Sequence, residues 1–274
     1  MAILQDTELL KISYLKGKDP FVGKFILEPF LPGFGLTIGH ALRRVLLSSL
    51  EGAAISSVKI DGVTHEFSTL KGVKEDVIEI ILNLKSTRFK MFDNDPVTIK
   101  LSKKGPGVIK AKDFNKNSAI EIIDPEQHIA TLDKSGKLSL EAIIKKGRGY
   151  EPVEKRKDEK LALGTIAVDS IYTPVKKIHY DVENTRVGGM TNYDKVILDI
   201  TTDGSILPED AMKTANKILI EHFNLIAEKL TSNDKKIDNK TQPELTESKT
   251  EIKSKKKVEN SSKSKKAISK KKVK

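Results

Sequence analysis

The chain has no cysteine among its 274 residues, which excludes disulfides, thiol nucleophiles and Cys-based zinc or iron–sulfur sites. It also lacks any apolar run approaching the roughly 18 residues that a spanning helix needs, so no membrane contact is expected. The opening stretch, MAILQDTELLKISY, has no basic region followed by an apolar core and no small-residue cleavage site. A cytoplasmic protein is therefore expected. No G-x-S-x-G, P-loop or closely spaced carboxylate cluster occurs. His40, His65, His128, His179 and His222 are scattered through the sequence, and His65-Glu66 lacks the second His of a zinc-binding H-E-x-x-H. No catalytic residue, metal or cofactor is expected.

What the chain does have is charge, unevenly placed. It is 32% charged and 38% hydrophobic with a formal net charge of +11. From Lys235 to the end there are fifteen lysines and five acids, which accounts for nearly all of that excess. Residues 233–274 are accordingly expected to be a disordered Lys-rich tail. Such a tail suits a salt-sensitive polyanion contact, DNA above all, or serves only as a solubilising extension.

The stretch PGFGLTIGHALRRVLLSSLEG, residues 32–52, predicts a helix entered at Gly33 and Gly35 and stopped at Gly52. At a period of 3.6, Ile38, Ala41, Leu42, Val45, Leu46 and Ser49 fall on one stripe, and Leu36, Leu47 and Leu50 lie nearly opposite with Arg43 among them. A second apolar patch beside Arg43 and Arg44 suggests a surface for another chain, although a fully buried helix with two snorkelling arginines accounts for the same pattern. Gly33-x-Gly35-x-x-x-Gly39 is superficially like a dinucleotide fingerprint. Its spacing is not G-x-G-x-x-G, and no crossover βα units follow.

Two strands are expected within residues 8–30, joined by a turn at Lys16–Pro20, and a hairpin about Asp61-Gly62 within Ile55–Phe67. Val73–Leu84 has helical spacing. Short β-type runs then fill 96–170, at Val97–Leu101, Val108–Ala111, Ala119–Ile123, Leu138–Ile144 and Leu163–Val168. The basic, aromatic-tipped Gly147-Arg148-Gly149-Tyr150 reads as a loop between strands. Strands at Lys176–Glu183 and Lys195–Thr202 flank a turn near Gly188-Gly189, and Pro208 opens the longest helix, whose stripe runs Met212, Ala215, Leu219, His222, Phe223, Ile226 and Leu230 with Ile220 and Leu225 off it. Fold class is therefore expected to be α+β. Residues 1–52 and 179–232 form a dimerisation subdomain from both ends of the ordered region, and 53–178 form an inserted, mostly antiparallel β subdomain. The spare faces of the two helices would meet their copies in a homodimer.

LEPFLPGFGLTIGHALRRVLLSSLEG (27–52), VKIDGVTHEFSTLKGVKEDVIEIILNLK (58–85), GRGY (147–150) and VDSIYTPVKKIHYDVENTRVG (168–188) together resemble the amino-terminal domain of the bacterial RNA polymerase alpha subunit, over roughly residues 5–230. The resemblance implies a non-catalytic subunit of a DNA-directed RNA polymerase, a nucleotidyltransferase whose active site lies in the beta-prime and beta subunits. It implies a homodimer that nucleates assembly with beta, beta-prime and omega, nucleoid-associated within the cytoplasm. Carried over by position, Arg44, Leu47 and Arg43 would meet beta, and Lys85, Asp169 and Pro174 would meet beta-prime. Leu36, Leu50, Ile220, Phe223, Leu225 and Ile226 would form the dimer interface. Beyond residue 235 the chain departs from the family pattern, with a Lys-rich tail where a compact DNA-binding domain would stand; His40 stands where Asn is expected. The alternative function is a basic-tailed nucleic-acid-binding protein independent of polymerase.

Overall fold

The computed structural model describes residues 10–156 and 162–237, with side chains described as far as residue 231. The tail beyond residue 237 lies outside the described residues. Two strands of alternating sequence, β1 (Lys11–Lys16) and β2 (Val22–Phe30), pair antiparallel with Ile12 opposite Leu27. They are joined by β13 (Val175–Val187) and β14 (Met190–Thr202), giving a four-stranded antiparallel sheet in the order β1-β2-β14-β13. One face of this sheet is apolar by period-2 alternation. Phe25, Leu27, Val196, Leu198 and Ile200 point into a core completed by two helices, α1 (Phe34–Ser48) and α3 (Pro208–Ile237).

That core draws on residues 25–50 and 175–215, two stretches far apart in sequence. The second core is built from the stretch between them, residues 53–168. Its frame is a sheet of β3 (Glu51–Ile60), β4 (Phe89–Met91), β5 (Val97–Lys104), β7 (Ile120–Ile122) and β9 (Lys137–Arg148), ordered β5-β9-β3-β4-β7. A separate ladder joins β6 (Gly107–Lys110) to β8 (His128–Leu132), and short strands β10 (Tyr150–Glu151), β11 (Thr165–Ala167) and β12 (Ser170–Ile171) finish the section. Helix α2 (Val77–Ser86) lays Val77, Ile80 and Leu84 into this core. The chain is thus α+β with antiparallel sheets throughout.

Four local expectations change. The Asp61-Gly62 turn forms, with Gly62 at φ 81°, but residues 63–67 make no strand. β3 is already flanked by β9 on one edge and by β4 and β11 on the other, so a hairpin partner has no edge to join. Helix α2 starts at Val77 rather than Val73 because Glu75 is used elsewhere: its carboxylate accepts from the Thr131 amide at 2.6 Å, the Thr131 hydroxyl at 2.8 Å and His128 Nε2 at 3.0 Å. Burial alone would raise the Glu75 pKa, yet these donors leave it lowered. Finally, α3 continues through residues 233–237, inside the stretch expected to be disordered, and Leu50 leaves the spare face. It is 1% exposed and belongs to the split core, because α1 ends at Ser48 and helical projection no longer applies one residue past the cap.

Candidate assembly interfaces

The entrance to α1 is set by glycines and one distant carboxylate. Gly33 sits at φ 85°, and the Gly33 and Gly35 amides donate to Asp194 Oδ2 at 2.8 and 2.9 Å. A Cβ on Gly35 would stand 2.7 Å from the Asp194 Cβ, and one on Gly39 2.7 Å from the Tyr180 ring. The glycines therefore let the helix lie directly on β13 and β14. The anion position at this helix start is filled by the chain's own carboxylate, which rules out the dinucleotide reading: a pyrophosphate would have to displace a buried Asp from two charge-assisted hydrogen bonds.

With Gly35, Gly39, Leu42 and Leu46 facing inward, α1 turns Leu36, Arg43 and Arg44 outward. Arg43 lies over the Tyr180 ring at 6.0 Å from its centroid, the outer reach of a cation–π contact. Arg44 is exposed and its guanidinium makes no ion pair among the described residues. Leu47 is half-buried against the split core. Leu36 and Phe34, by contrast, are left bare at the start of the helix.

Helix α3 divides into two halves of different character. Ala211, Met212 and Ala215 are buried in the split core, whereas every residue from Ile220 to Ala227 is exposed. Ile220, Phe223, Leu225 and Ile226 are 58%, 63%, 53% and 55% exposed. Four large apolar side chains on two turns of helix are far more than a solvated helix carries.

A third group lies where α2 ends. Lys85 Nζ meets Asp169 Oδ2 at 3.2 Å and stands 5.7 Å from the Tyr150 ring centroid. The Val153 amide donates to the other Asp169 oxygen at 3.0 Å. That backbone donor, with Lys85 and the Tyr150 hydroxyl, holds the Asp169 carboxyl below its ordinary pKa. Partial burial and Asp169 push the Tyr150 hydroxyl up. Arg156 sits behind the cluster, its guanidinium donating to the carbonyls of Ser56 (3.0 Å) and Val168.

The structure thus brings Lys85 and Asp169 together and adds Tyr150 and Arg156, whose roles no sequence spacing signals. Pro174 does not join them. It is buried between Tyr172 and Val175 where the chain crosses into β13, its carbonyl taken by the Asp203 amide at 2.9 Å, so it offers no surface to a partner. The Gly147–Tyr150 stretch is an ordered strand end rather than a loose loop: Arg148 closes β9 and pairs with Glu51 at 2.6 Å across the ladder, and Tyr150 opens β10. Among the described residues no group of His, Asp and Glu side chains could hold a metal ion. No helix there is long and apolar enough to cross a membrane.

Comparison with known proteins shows the kinship of the chain. A family model described as the RNA polymerase Rpb3/RpoA insert domain matches residues 58–173, the stretch that holds most of the contiguous core. The chain is 53% identical over 203 residues to the DNA-directed RNA polymerase subunit alpha of Alkaliphilus oremlandii, an overlap covering 74% of this chain and 64% of that protein. The match to the subunit of the same name in Geobacter metallireducens is 51% over 203 residues, covering 74% and 60%. That in Clostridium botulinum (strain Eklund 17B / Type B) is 49% identical over 221 residues, covering 81% and 70%. The chain spans under two thirds of the length of the first two relatives.

Proposed function

The chain belongs to the family of bacterial DNA-directed RNA polymerase alpha subunits, and from that premise we propose that it is the homodimeric, non-catalytic scaffold on which the beta and beta-prime subunits assemble, with omega in the finished enzyme. The observation that carries this reading is the bare stretch of α3 from Ile220 to Ala227. Ile220, Phe223, Leu225 and Ile226 leave apolar surface that a second copy would cover, because the same helix in a twofold partner presents the same side chains. Leu36 and Phe34 of α1 extend the apolar surface available to that contact.

In this reading the split core is the dimerisation subdomain, from residues 1–52 and the chain after about 173, and the stretch between is the inserted subdomain. Val175 and Ile178, which pack in the split core, support drawing the boundary inward of 178. Arg44 is the beta contact: free of ion-pair partners among the described residues and on the side of α1 turned from the core, it can give a planar two-pronged donor to a carboxylate or carbonyl pair. Arg43 and Leu47 flank it. Lys85 and Asp169 are the beta-prime contact, presented together by their mutual ion pair. Polymerisation chemistry belongs to the partners. The Lys-rich tail supplies a loose, salt-sensitive hold on the DNA template, and work on that template gives the protein its place at the nucleoid.

The test is co-purification. Arg44→Ala is expected to sediment as a dimer of unchanged stability and to lose beta from the assembly, while Arg44→Lys recovers little, because a point charge does not reproduce the fork. Normal retention of beta by Arg44→Ala would remove that residue from the interface.

A further inference from the structure

One end of the inserted section carries a cluster of lysines that the scaffold role does not use. Three loops meet there: residues 71–74, the β5–β6 turn at 103–107, and the β8–β9 turn at 133–137. They are sewn together by backbone. The Asp133 amide donates to the Gly72 carbonyl at 2.9 Å and the Gly105 amide to the Gly136 carbonyl at 3.0 Å. A Cβ on Gly72 would lie 2.8 Å from the Gly136 Cα, so only glycine lets the loops approach this closely.

From these loops project Lys71, Lys74, Lys103, Lys104, Lys134 and Lys137, with Asp133 the single carboxylate among them. Lys103 is spoken for by Asp113 at 2.9 Å. The other five are exposed and make no ion pair among the described residues. Lys104 and Lys137 moreover stand directly opposite each other in the β5–β9 ladder, a like-charge pairing that lowers sheet stability. Five exposed lysines at one tip, two of them opposed and Asp133 the one acid beside them, leave a net positive surface suited to an anion outside the fold.

We infer that this tip is a contact for the phosphate backbone of duplex DNA, separate from the tail and from the assembly surfaces. The composition of the patch selects the partner. Protein interfaces are depleted in lysine and anchored by aromatic residues and arginine, and the three loops contain neither. Single-stranded nucleic acid is held by stacking on aromatic rings, and none is present in these loops. Lysines spread over three loops are point charges suited to evenly spaced phosphates, without base reading. The tip is also remote from the α1 arginines: β9 runs twelve residues from Lys137 to Arg148 beside Glu51, roughly 35 Å of extended chain. DNA at the tip would leave the split core free for its partners.

The experiment uses the full-length chain and a short fluorescent duplex of random sequence. Replacing Lys71→Gln, Lys104→Gln, Lys134→Gln and Lys137→Gln together is expected to lower the slope of log affinity against log salt by about 2–4, near 0.9 for each phosphate that is no longer neutralised. The tail is present in both proteins and cancels. Because the chain lacks cysteine, Ser135→Cys can carry a photoreactive group uniquely at the tip and is expected to cross-link the duplex well above Ser13→Cys, which reports the split-core sheet. An unchanged salt slope, or equal cross-linking from both positions, overturns the inference. So does a loss of binding to poly-glutamate with DNA binding intact, which would make the patch a surface for acidic protein. None of these readouts depends on dimerisation or on beta, so the scaffold reading stands or falls separately.

Discussion

The two cores of this protein are made from similar residues and differ in how much apolar surface their helices leave bare. The inserted core comes from one continuous stretch, and its helix α2 puts Val77, Ile80 and Leu84 at essentially zero exposure, with Ile78 and Leu82 on its outer side left 41% and 55% exposed. The split core comes from the two ends of that stretch's surroundings, and its helices bury one side only: Leu42 and Leu46 are sealed, while Leu36 on the same helix and Ile220 to Ile226 on α3 are bare. The difference is geometric. Helix α2 packs onto β3 and β8 and is tied to β8 through Glu75 and through Asn83, whose amide donates to the Ile129 carbonyl at 3.0 Å. Helix α3, by contrast, is exposed at every position from Ile220 to Ala227. Apolar surface that an enclosed core would have consumed is left for a partner.

The largest expected effect breaks that contrast directly. Phe223→Asp with Ile226→Asp is expected to weaken self-association by about a thousandfold, some 4 kcal/mol, as for two interface anchors. Sedimentation equilibrium should find a monomer, while far-UV circular dichroism stays unchanged because both side chains are already exposed. A variant pair that still sedimented as a dimer would mean that the bare half of α3 serves some other contact. Next comes a matched pair of core truncations. Leu46→Ala and Ile80→Ala should each lower unfolding stability by about 2–5 kcal/mol in denaturant titrations. Only Leu46→Ala should also weaken the dimer, since only the split core positions α1 and α3. Equal effects on association would erase the distinction between the cores.

The smallest effect sharpens the view of the third surface. Asp169→Asn removes one partner of a part-exposed ion pair and should cost about 0.2–1 kcal/mol. Its pH signature is more telling than its size. The Asp169 carboxyl titrates below its ordinary value of 3.8 in the folded chain, so the stability it contributes is present above that value and is lost as pH falls through the lowered pKa. Wild type should lose stability more steeply than Asp169→Asn on acidification below about pH 4. Parallel curves would show that the Lys85–Asp169 pair does not organise this end of α2.

Much of this was readable in the chain. The stripe of α1, the Pro208 start of α3, the Gly188-Gly189 turn and most strands follow from periodicity and turn chemistry, because a helix or strand facing a core must repeat its apolar residues at 3.6 or 2. Errors gathered where partners lie far off in sequence. The Asp61-Gly62 turn could not reveal that β3's edges are held by β9, β4 and β11. Leu50 looked like a spare-face residue only under a helical projection that stops at Ser48. Nothing near Gly33 announces Asp194, 159 residues beyond Gly35, as the group that seats the helix.

The sequence by itself determined the α+β class, the kinship and the places where apolar residues exceed what one helix face can bury, since these depend on local spacing and side-chain chemistry. Only the tertiary structure decided which of those residues stay uncovered, that the helix-start anion site is filled by an internal carboxylate, and that lysines from three separate loops converge on one tip. Each of these is a matter of distance between segments remote in the chain, and linear spacing carries no measure of it.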